Sequence, residues 1–377
     1  MYKNLIFCLA LGILLGCKKP YEPPEITAAP NFLVVEGVIN TNPSSETIIT
    51  LTRSRRLVDT VVTQFESNAQ VYIKDEGGIS YFLSQNSPGV YRSGPLTLNS
   101  SRLYRLKIFT SGGEEYLSDL VPVKQNVIID SLTWEKQNSE VTVFLNTHDD
   151  QKNTRFYRWD YIETWEYHPF FDTHLGFKNG QIYFRDSTEM INKCWSNHTS
   201  TNIILASTLK LSEDIISHFP IVTVPPKSEK LTVKYSVLVK QYALTQEAYE
   251  YWQILKKNTE QLGTLFDAQP SQLRGNIYNV KNPAESVIGF VTTCGIQEKR
   301  IFIRYSEVAP WLGPDFDPGG SCPVILIDPS EAAQYLTNTT TLAPGFFVTG
   351  GGLAITKIPC VDCTVGRGIP KKPPFWQ

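Results

Sequence analysis

Cys17 is the residue whose surroundings most clearly predict a chemical modification. It ends the apolar run that begins at Leu5, in the order Leu14-Leu15-Gly16-Cys17. A branched apolar residue three positions before a cysteine, with a small residue directly before it, is typical of a bacterial lipobox. There the thiol receives a diacylglycerol, the Gly16–Cys17 bond is cut, and the new amine is acylated with a chain such as palmitate. We therefore predict that Cys17 carries a lipid anchor, which holds durably once two or three acyl chains are attached.

The residues around Cys17 predict export to the cell envelope. Lys3 precedes an apolar run that is shorter than the roughly 20 residues a membrane-spanning helix needs, so residues 1–16 are typical of a signal peptide. Residues 17–30 are rich in proline and predict a semi-rigid tether. We expect a protein anchored to the outer membrane, on either its periplasmic or its surface side.

Five further cysteines favour disulfides in an oxidising compartment, and an odd number leaves at least one unpaired. Cys360 and Cys363 form a CxxC pair, but the glycines and prolines after it disfavour the helix of a thioredoxin-like redox pair. No second CxxC completes a zinc site. A local bridge and cross-links to Cys322 or Cys194 are both open. The disulfide candidates are Cys194, Cys294, Cys322, Cys360 and Cys363.

The segment "HPFFDTH" contains His168, Asp172 and His174, which are types of residue that bind zinc and similar ions. No third histidine lies nearby, and a loop after a strand is a common place for surface histidines. These three residues are the candidates for a metal site, but we expect neither a metal nor any other cofactor.

The search for catalytic patterns gives a negative expectation. The chain has no G-x-S-x-G elbow, no H-E-x-x-H helix and no P-loop, so we predict that it is not an enzyme and assign no catalytic residues. With 35 basic and 37 acidic residues the formal net charge is −2. Such a near-neutral balance gives no electrostatic indication of nucleic-acid binding, and we expect no nucleic-acid partner.

Short β-branched and aromatic runs, separated by turns such as Gly-Gly and Ser-Pro-Gly, predict a mostly β protein. Their density over residues 31–124 indicates an Ig-like or transthyretin-like β-sandwich. In the run at 103–109, Tyr104, Leu106 and Ile108 share the parity that fits a core face. Strand patterns continue over residues 125–377, which we predict to form a larger β-rich domain carrying one long α-helix.

The segment "YRWDYIETWEY" alternates with a period of two, which predicts a strand with one aromatic and one polar face. We favour a core role for the aromatic face; an exposed platform for a sugar or another flat ligand is the alternative. The polar face contains Arg158, Asp160, Thr164 and Glu166. The aromatic face contains Tyr157, Trp159, Tyr161, Trp165 and Tyr167.

The helix is predicted at about 245–262. Thr245 can cap its N-terminus and Gly263 stands where a glycine commonly follows a helix. Residues spaced by three and four positions, including Ala248, Tyr251 and Trp252, form an apolar stripe suited to packing on a sheet. Shorter helical turns are predicted at "SEDIIS" and "PSEAAQYL".

Several segments resemble the DUF4249 family of Bacteroidota envelope lipoproteins. They are "TNIILASTLKLSEDII", "YSVLVKQYALTQEAYEYWQILKKNTEQLGTLFDAQPSQLRGNI", "VIGFV" followed by "KRIFI", and the terminal "CVDC" and "KKPPFW". The resemblance implies an N-terminal Ig-like domain, a lipid site at Cys17 and a terminal cysteine pair at Cys360 and Cys363. It brings no catalytic residues and assigns no role to Cys294.

The resemblance also implies a partner, because members are often encoded beside a TonB-dependent outer-membrane receptor. We therefore expect a non-catalytic accessory that binds a ligand, of unknown identity, for such a receptor. The alternative is a structural or adhesive module of the cell envelope.

Overall fold

The computed structural model describes residues 31–55, 63–125, 127–260, 273–311, 313, 322–337, 339–366 and 368–377. The predicted lipid site at Cys17, the signal peptide, the tether and Gly263 lie outside these residues. Within them the chain is mostly β, which confirms the predicted fold class. None of the helices in these ranges is long and apolar enough to span a membrane.

The first strands in chain order are β1 Leu33–Asn40, β2 Glu46–Arg53, β3 Gln64–Phe65, β4 Gln70–Asp75, β5 Ser80–Ser87, β6 Val90–Pro95, β7 Leu103–Phe109, β8 Glu115–Ser118, β9 Val121–Lys124, β10 Ile129–Gln137, β11 Glu140–His148 and β12 Phe156–Tyr167. The strands that follow are β13 Leu175–Lys178, β14 Gln181–Phe184, β15 Cys194–Thr199, β16 Ile204–Ser207, β17 Ile215–Val224, β18 Lys234–Ala243, β19 Ile277–Asn279, β20 Thr293–Cys294, β21 Gln297–Arg304, β22 Ile325–Ile327, β23 Leu342–Phe347 and β24 Leu353–Lys357. The described α-helices are α1 Gln246–Glu260, α2 Tyr305–Val308 and α3 Ala332–Leu336, and 3₁₀ turns span Glu229–Leu231, Pro329–Glu331, Ile358–Cys360 and Cys363–Gly366.

The N-terminal strands form a large sheet in the order β19-β8-β7-β4-β5-β6-β2-β1-β20-β9, with β3 on β2. The sheet curls until β9 also pairs with β7, and it encloses one apolar cluster. Tyr104, Leu106 and Ile108 are each 1% exposed in that cluster, as the alternation in β7 predicts. The Ig-like or transthyretin-like description of this unit stays a prediction.

Two strands of this sheet come from a distant part of the chain. After α1 the chain returns, β19 pairs with β8, and β20 inserts in parallel between β1 and β9. Gly289 permits the close approach: its φ is +145°, and a Cβ there would lie 2.3 Å from the Val35 carbonyl oxygen. The N-terminal sheet thus includes strands from beyond residue 125. The domain boundary near residue 124 stays a prediction.

The remaining strands form a second unit with two main sheets. A three-stranded sheet, β10-β11-β17, packs on a larger sheet in the order β15-β12-β18-β21, with β16 on β12. Apolar residues of both sheets share one core, among them Val143 of β11, Trp159 of β12 and Val237 of β18. Two small sheets, β13-β14 and β22-β24-β23, extend this unit.

The predicted helix is confirmed over Gln246–Glu260 by α1, and its predicted end at about 262 lies outside the described residues. The Thr245 hydroxyl accepts a hydrogen bond from the Ala248 amide at 3.2 Å, which is an N-cap. Ala248 and Tyr251 are buried on the predicted stripe. The turn at "PSEAAQYL" is helical too, but "SEDIIS" is not: Ile215 and Ile216 pair with β11 as the start of β17.

Two disulfides join the C-terminal segment to the second unit. Cys194 is bonded to Cys363 and Cys322 to Cys360, with Cα–Cα distances of 5.8 and 5.7 Å. The two cysteines of the CxxC pair therefore have different partners. Of the five described cysteines, Cys294 is the unpaired one and is buried, and burial raises the pKa of its thiol to about 12.

This pairing predicts a labelling pattern for the five cysteines beyond residue 31. Iodoacetamide should label none of them in the native protein and only Cys294 in denaturant without reductant, because a buried, protonated thiol does not react. Proteolytic mapping without reduction, followed by mass spectrometry, should recover the Cys194–Cys363 and Cys322–Cys360 peptide pairs. A Cys360–Cys363 bridge, or labelling of Cys294 in the native state, would contradict the structure.

Candidate functional site

A cleft of about 1050 Å³ lies where the two units meet. One wall is the outward face of β1 and β2, which includes Glu36, Ile48 and Thr50. The floor is the face of β12, β18 and β21 that points away from the core of the second unit, and α1 closes one side with Trp252 and Leu255. Clefts of this size hold small ligands, and they are common between domains.

Charged side chains from three neighbouring strands form the floor. Asp160 of β12 is the register neighbour of Lys240 on β18, which in turn is the neighbour of Glu298 on β21. The Lys240 ammonium lies 2.9 Å from the Glu298 carboxylate, and the Arg158 guanidinium lies 3.0 Å from the Asp160 carboxylate. Both bases in the floor are therefore already paired with acids.

Arg158 contacts two aromatic rings in addition to its partner Asp160. Its guanidinium carbon lies 4.3 Å from the centre of the Tyr242 ring and 4.1 Å from that of Trp252. Arg158 is only 9% exposed, and within the described chain its Nε–H has no hydrogen-bond partner. Such a buried, unpaired donor costs about 1–3 kcal/mol. Stacking on two aromatic rings offsets part of that cost.

The cleft lies beside the apolar cluster that joins the units. This junction cluster contains Val38 of β1, Tyr242 of β18, Ala248 of α1 and Cys294 of β20. Burial is also the main cause that raises the pKa of Tyr242 above its ordinary value. Neither the Cys294 thiol nor the Tyr242 hydroxyl ionises near neutral pH, so neither provides a nucleophile to the cleft.

The alternative of an exposed aromatic platform on β12 is wrong, and the favoured core role is what the structure has. Tyr157 and Trp159 are fully buried, Tyr161 and Trp165 are 7% and 8% exposed, and the Trp159 indole donates to Gln241 Oε1 at 2.8 Å. Tyr167 is half-buried. The four buried rings are part of the core between the two sheets of the second unit, so no flat ligand can stack on them.

The three metal candidates do not converge. His168 Nε2 lies 3.0 Å from Glu166 Oε1, Asp172 accepts a hydrogen bond from Asn192, and the His174 side chain is exposed. Among the described residues no group of three or more His, Cys, Asp or Glu side chains is arranged to hold a metal ion.

The sequence contains one signal for this cleft, on the polar face of β12. Arg158 and Asp160 share the polar parity of this strand, and a charged pair two residues apart on a strand can point into one site. The sequence around Lys240 and Glu298 does not indicate that the two side chains meet, because only the pairing of β18 with β21 brings them together.

Comparisons with known proteins support a family but not a ligand. The model of a domain of unknown function, DUF4249, matches residues 18–300, so the match ends before the CxxC pair. No curated protein matches the sequence. A crystal structure from Bacteroides uniformis ATCC 8492, of a protein with a proposed carbohydrate-binding role, is 10% identical over 58% of this chain and 91% of its own. Its TM-score is 0.13, so the likeness carries no conclusion.

The stacked guanidinium predicts that Arg158→Lys is not a conservative change. A compact ammonium cannot lie flat between two rings, so we expect the free energy of unfolding in urea to fall by about 1–2 kcal/mol. Arg155→Lys is the matched control, because Arg155 is three residues earlier and its side-chain hydrogen bonds within the described residues are long, 3.4 and 3.5 Å, to backbone carbonyls. Equal losses in the two variants would contradict the stacking role.

Proposed function

This chain belongs to the DUF4249 family, and on that premise we propose that it is a lipid-anchored outer-membrane lipoprotein that binds a ligand as a non-catalytic accessory to a TonB-dependent receptor. Cys17 would carry the lipid anchor, and residues 17–30 would form the tether that holds the folded part of the chain away from the membrane. The cleft between the two units would hold the ligand.

The observation that carries this proposal is the cleft of about 1050 Å³. Small-molecule sites are common in clefts between domains, and this cleft combines polar side chains such as Thr50, Asn202 and Gln297 with apolar ones such as Ile48, Leu255 and Phe290. Its charged groups favour binding over chemistry, because Arg158 and Lys240 are each held by an acid. The buried thiol of Cys294, with its raised pKa, also disfavours covalent catalysis.

The lipid anchor is tested by substituting Cys17. We expect Cys17→Ser to abolish incorporation of radiolabelled palmitate and to move the protein from the membrane to the soluble fraction, because the acylated thiol is gone. Cys8→Ser is the matched control: it removes a cysteine from the same apolar run, and labelling should persist. Palmitate incorporation that survives Cys17→Ser would contradict the anchor.

The receptor partnership is tested by affinity capture from gently solubilised outer membranes, followed by mass spectrometry. The tag belongs in the exposed β10–β11 turn at Asn138–Ser139, because the C-terminal Trp376 is buried. We expect a TonB-dependent receptor in stoichiometric amount, absent from a strain with the untagged protein. Recovery of the lipoprotein alone, or with surface-structural proteins, would instead favour the structural or adhesive module.

A further inference from the structure

The charges that line the cleft are unevenly matched. Its bases, Arg158 and Lys240, are paired with Asp160 and Glu298. Glu46, at the rim, pairs with Arg92, which does not line the cleft, at 3.1 Å. An anionic ligand would therefore find no unengaged base among these residues.

Glu36 is the acid left over. It lies on the outward face of β1, is exposed, and has Thr50 of β2 as its register neighbour. Within the described parts of the chain no ion pair or hydrogen bond engages its carboxylate. An unpaired carboxylate on the wall of a cleft keeps its negative charge available to a cation that enters the cleft.

The surroundings of Glu36 suit a cation attached to an apolar body. Its charge acts on the Tyr251 hydroxyl of α1, adding to the burial that raises the pKa of Tyr251 to about 12. Ile48, Leu255 and Phe290 line the same cleft. A ligand with an ammonium group on a short carbon chain can then place its charge at Glu36 and its chain against these side chains.

We propose that the cleft recognises a ligand that bears an amine, with the Glu36 carboxylate as the partner of the ammonium group. This inference rests on the proposed function, because it assigns a chemical class to the ligand of the same cleft. Arg158 and Lys240, each neutralised by its acid, would contribute hydrogen bonds without attracting anions.

The test uses three probes of equal chain length with different charge: hexane-1,6-diamine, hexane-1,6-diol and adipate. Isothermal titration and thermal unfolding are followed on the detergent-solubilised full chain at low salt. We expect the diamine to bind saturably and to raise the melting temperature. The diol and adipate should neither bind nor raise the melting temperature. Added salt should weaken binding of the diamine, because it screens the attraction between the ammonium group and Glu36.

Two variants locate the effect. Glu36→Gln should weaken diamine binding about fivefold, as expected for one partly exposed ion pair. Glu140→Gln is the control for overall charge, since Glu140 is an exposed acid on β11, outside the cleft, and it should bind the diamine like the unchanged protein.

Each other outcome overturns the amine assignment. Equal binding of the diol and the diamine would indicate a neutral ligand. Tighter binding of adipate would indicate an anionic ligand. Equal losses of diamine binding in both variants would indicate a general effect of charge. Absence of diamine binding would also refute it. Because no receptor is present in this experiment, its failure is distinguishable from a failed receptor capture.

Discussion

Parallel pairing of β20 between β1 and β9 is the constraint on which the rest of the structure depends. The strand has only two residues, Thr293 and Cys294, yet both are buried and both pair on each side. β21 of the second unit begins three residues later. Only a very short stretch of backbone therefore joins the sheet that forms the β1–β2 wall of the cleft to β21 in its floor. The Asn40 side chain fixes this stretch by accepting a hydrogen bond from the Ile296 amide at 3.3 Å.

This constraint explains why the charged face of β12 forms a cleft and not an open surface. One face of the larger sheet is covered by the three-stranded sheet, so its aromatic residues become core. The opposite face is covered in part by α1, and at its other end by the C-terminal segment, where the Trp376 indole donates to Glu166 at 3.0 Å. The middle of that face, with Asp160 and Lys240, stays accessible.

Local pattern predicted the local structure well. The alternation in β7 and β12, the Thr245 cap and the mostly β class all depend on neighbours within a few residues, and each is confirmed. The site depended on longer-range facts. Arg158 stacks on Trp252, which lies nearly a hundred positions later in the chain, and no periodicity encodes that contact.

The cysteines show the same division. Their odd number predicted an unpaired residue, but not that it would be Cys294, whose position is set by β20 entering the N-terminal sheet. The partners of Cys360 and Cys363 depend on where the segments around residues 194 and 322 meet the C-terminal region. That meeting is tertiary, and alternative pairings were therefore open from the sequence.

The Cys194–Cys363 bond also has a mechanical consequence. Its sequence separation of 169 residues corresponds to roughly 600 Å of fully extended chain. Tension applied between the N-terminal strands and the last residues would pass through the sulfur atoms of this bond and would not load the backbone between Cys194 and Cys363. Most of the floor of the cleft, including β18 and β21, lies inside that covalent loop and cannot be drawn out end to end while the bond is intact.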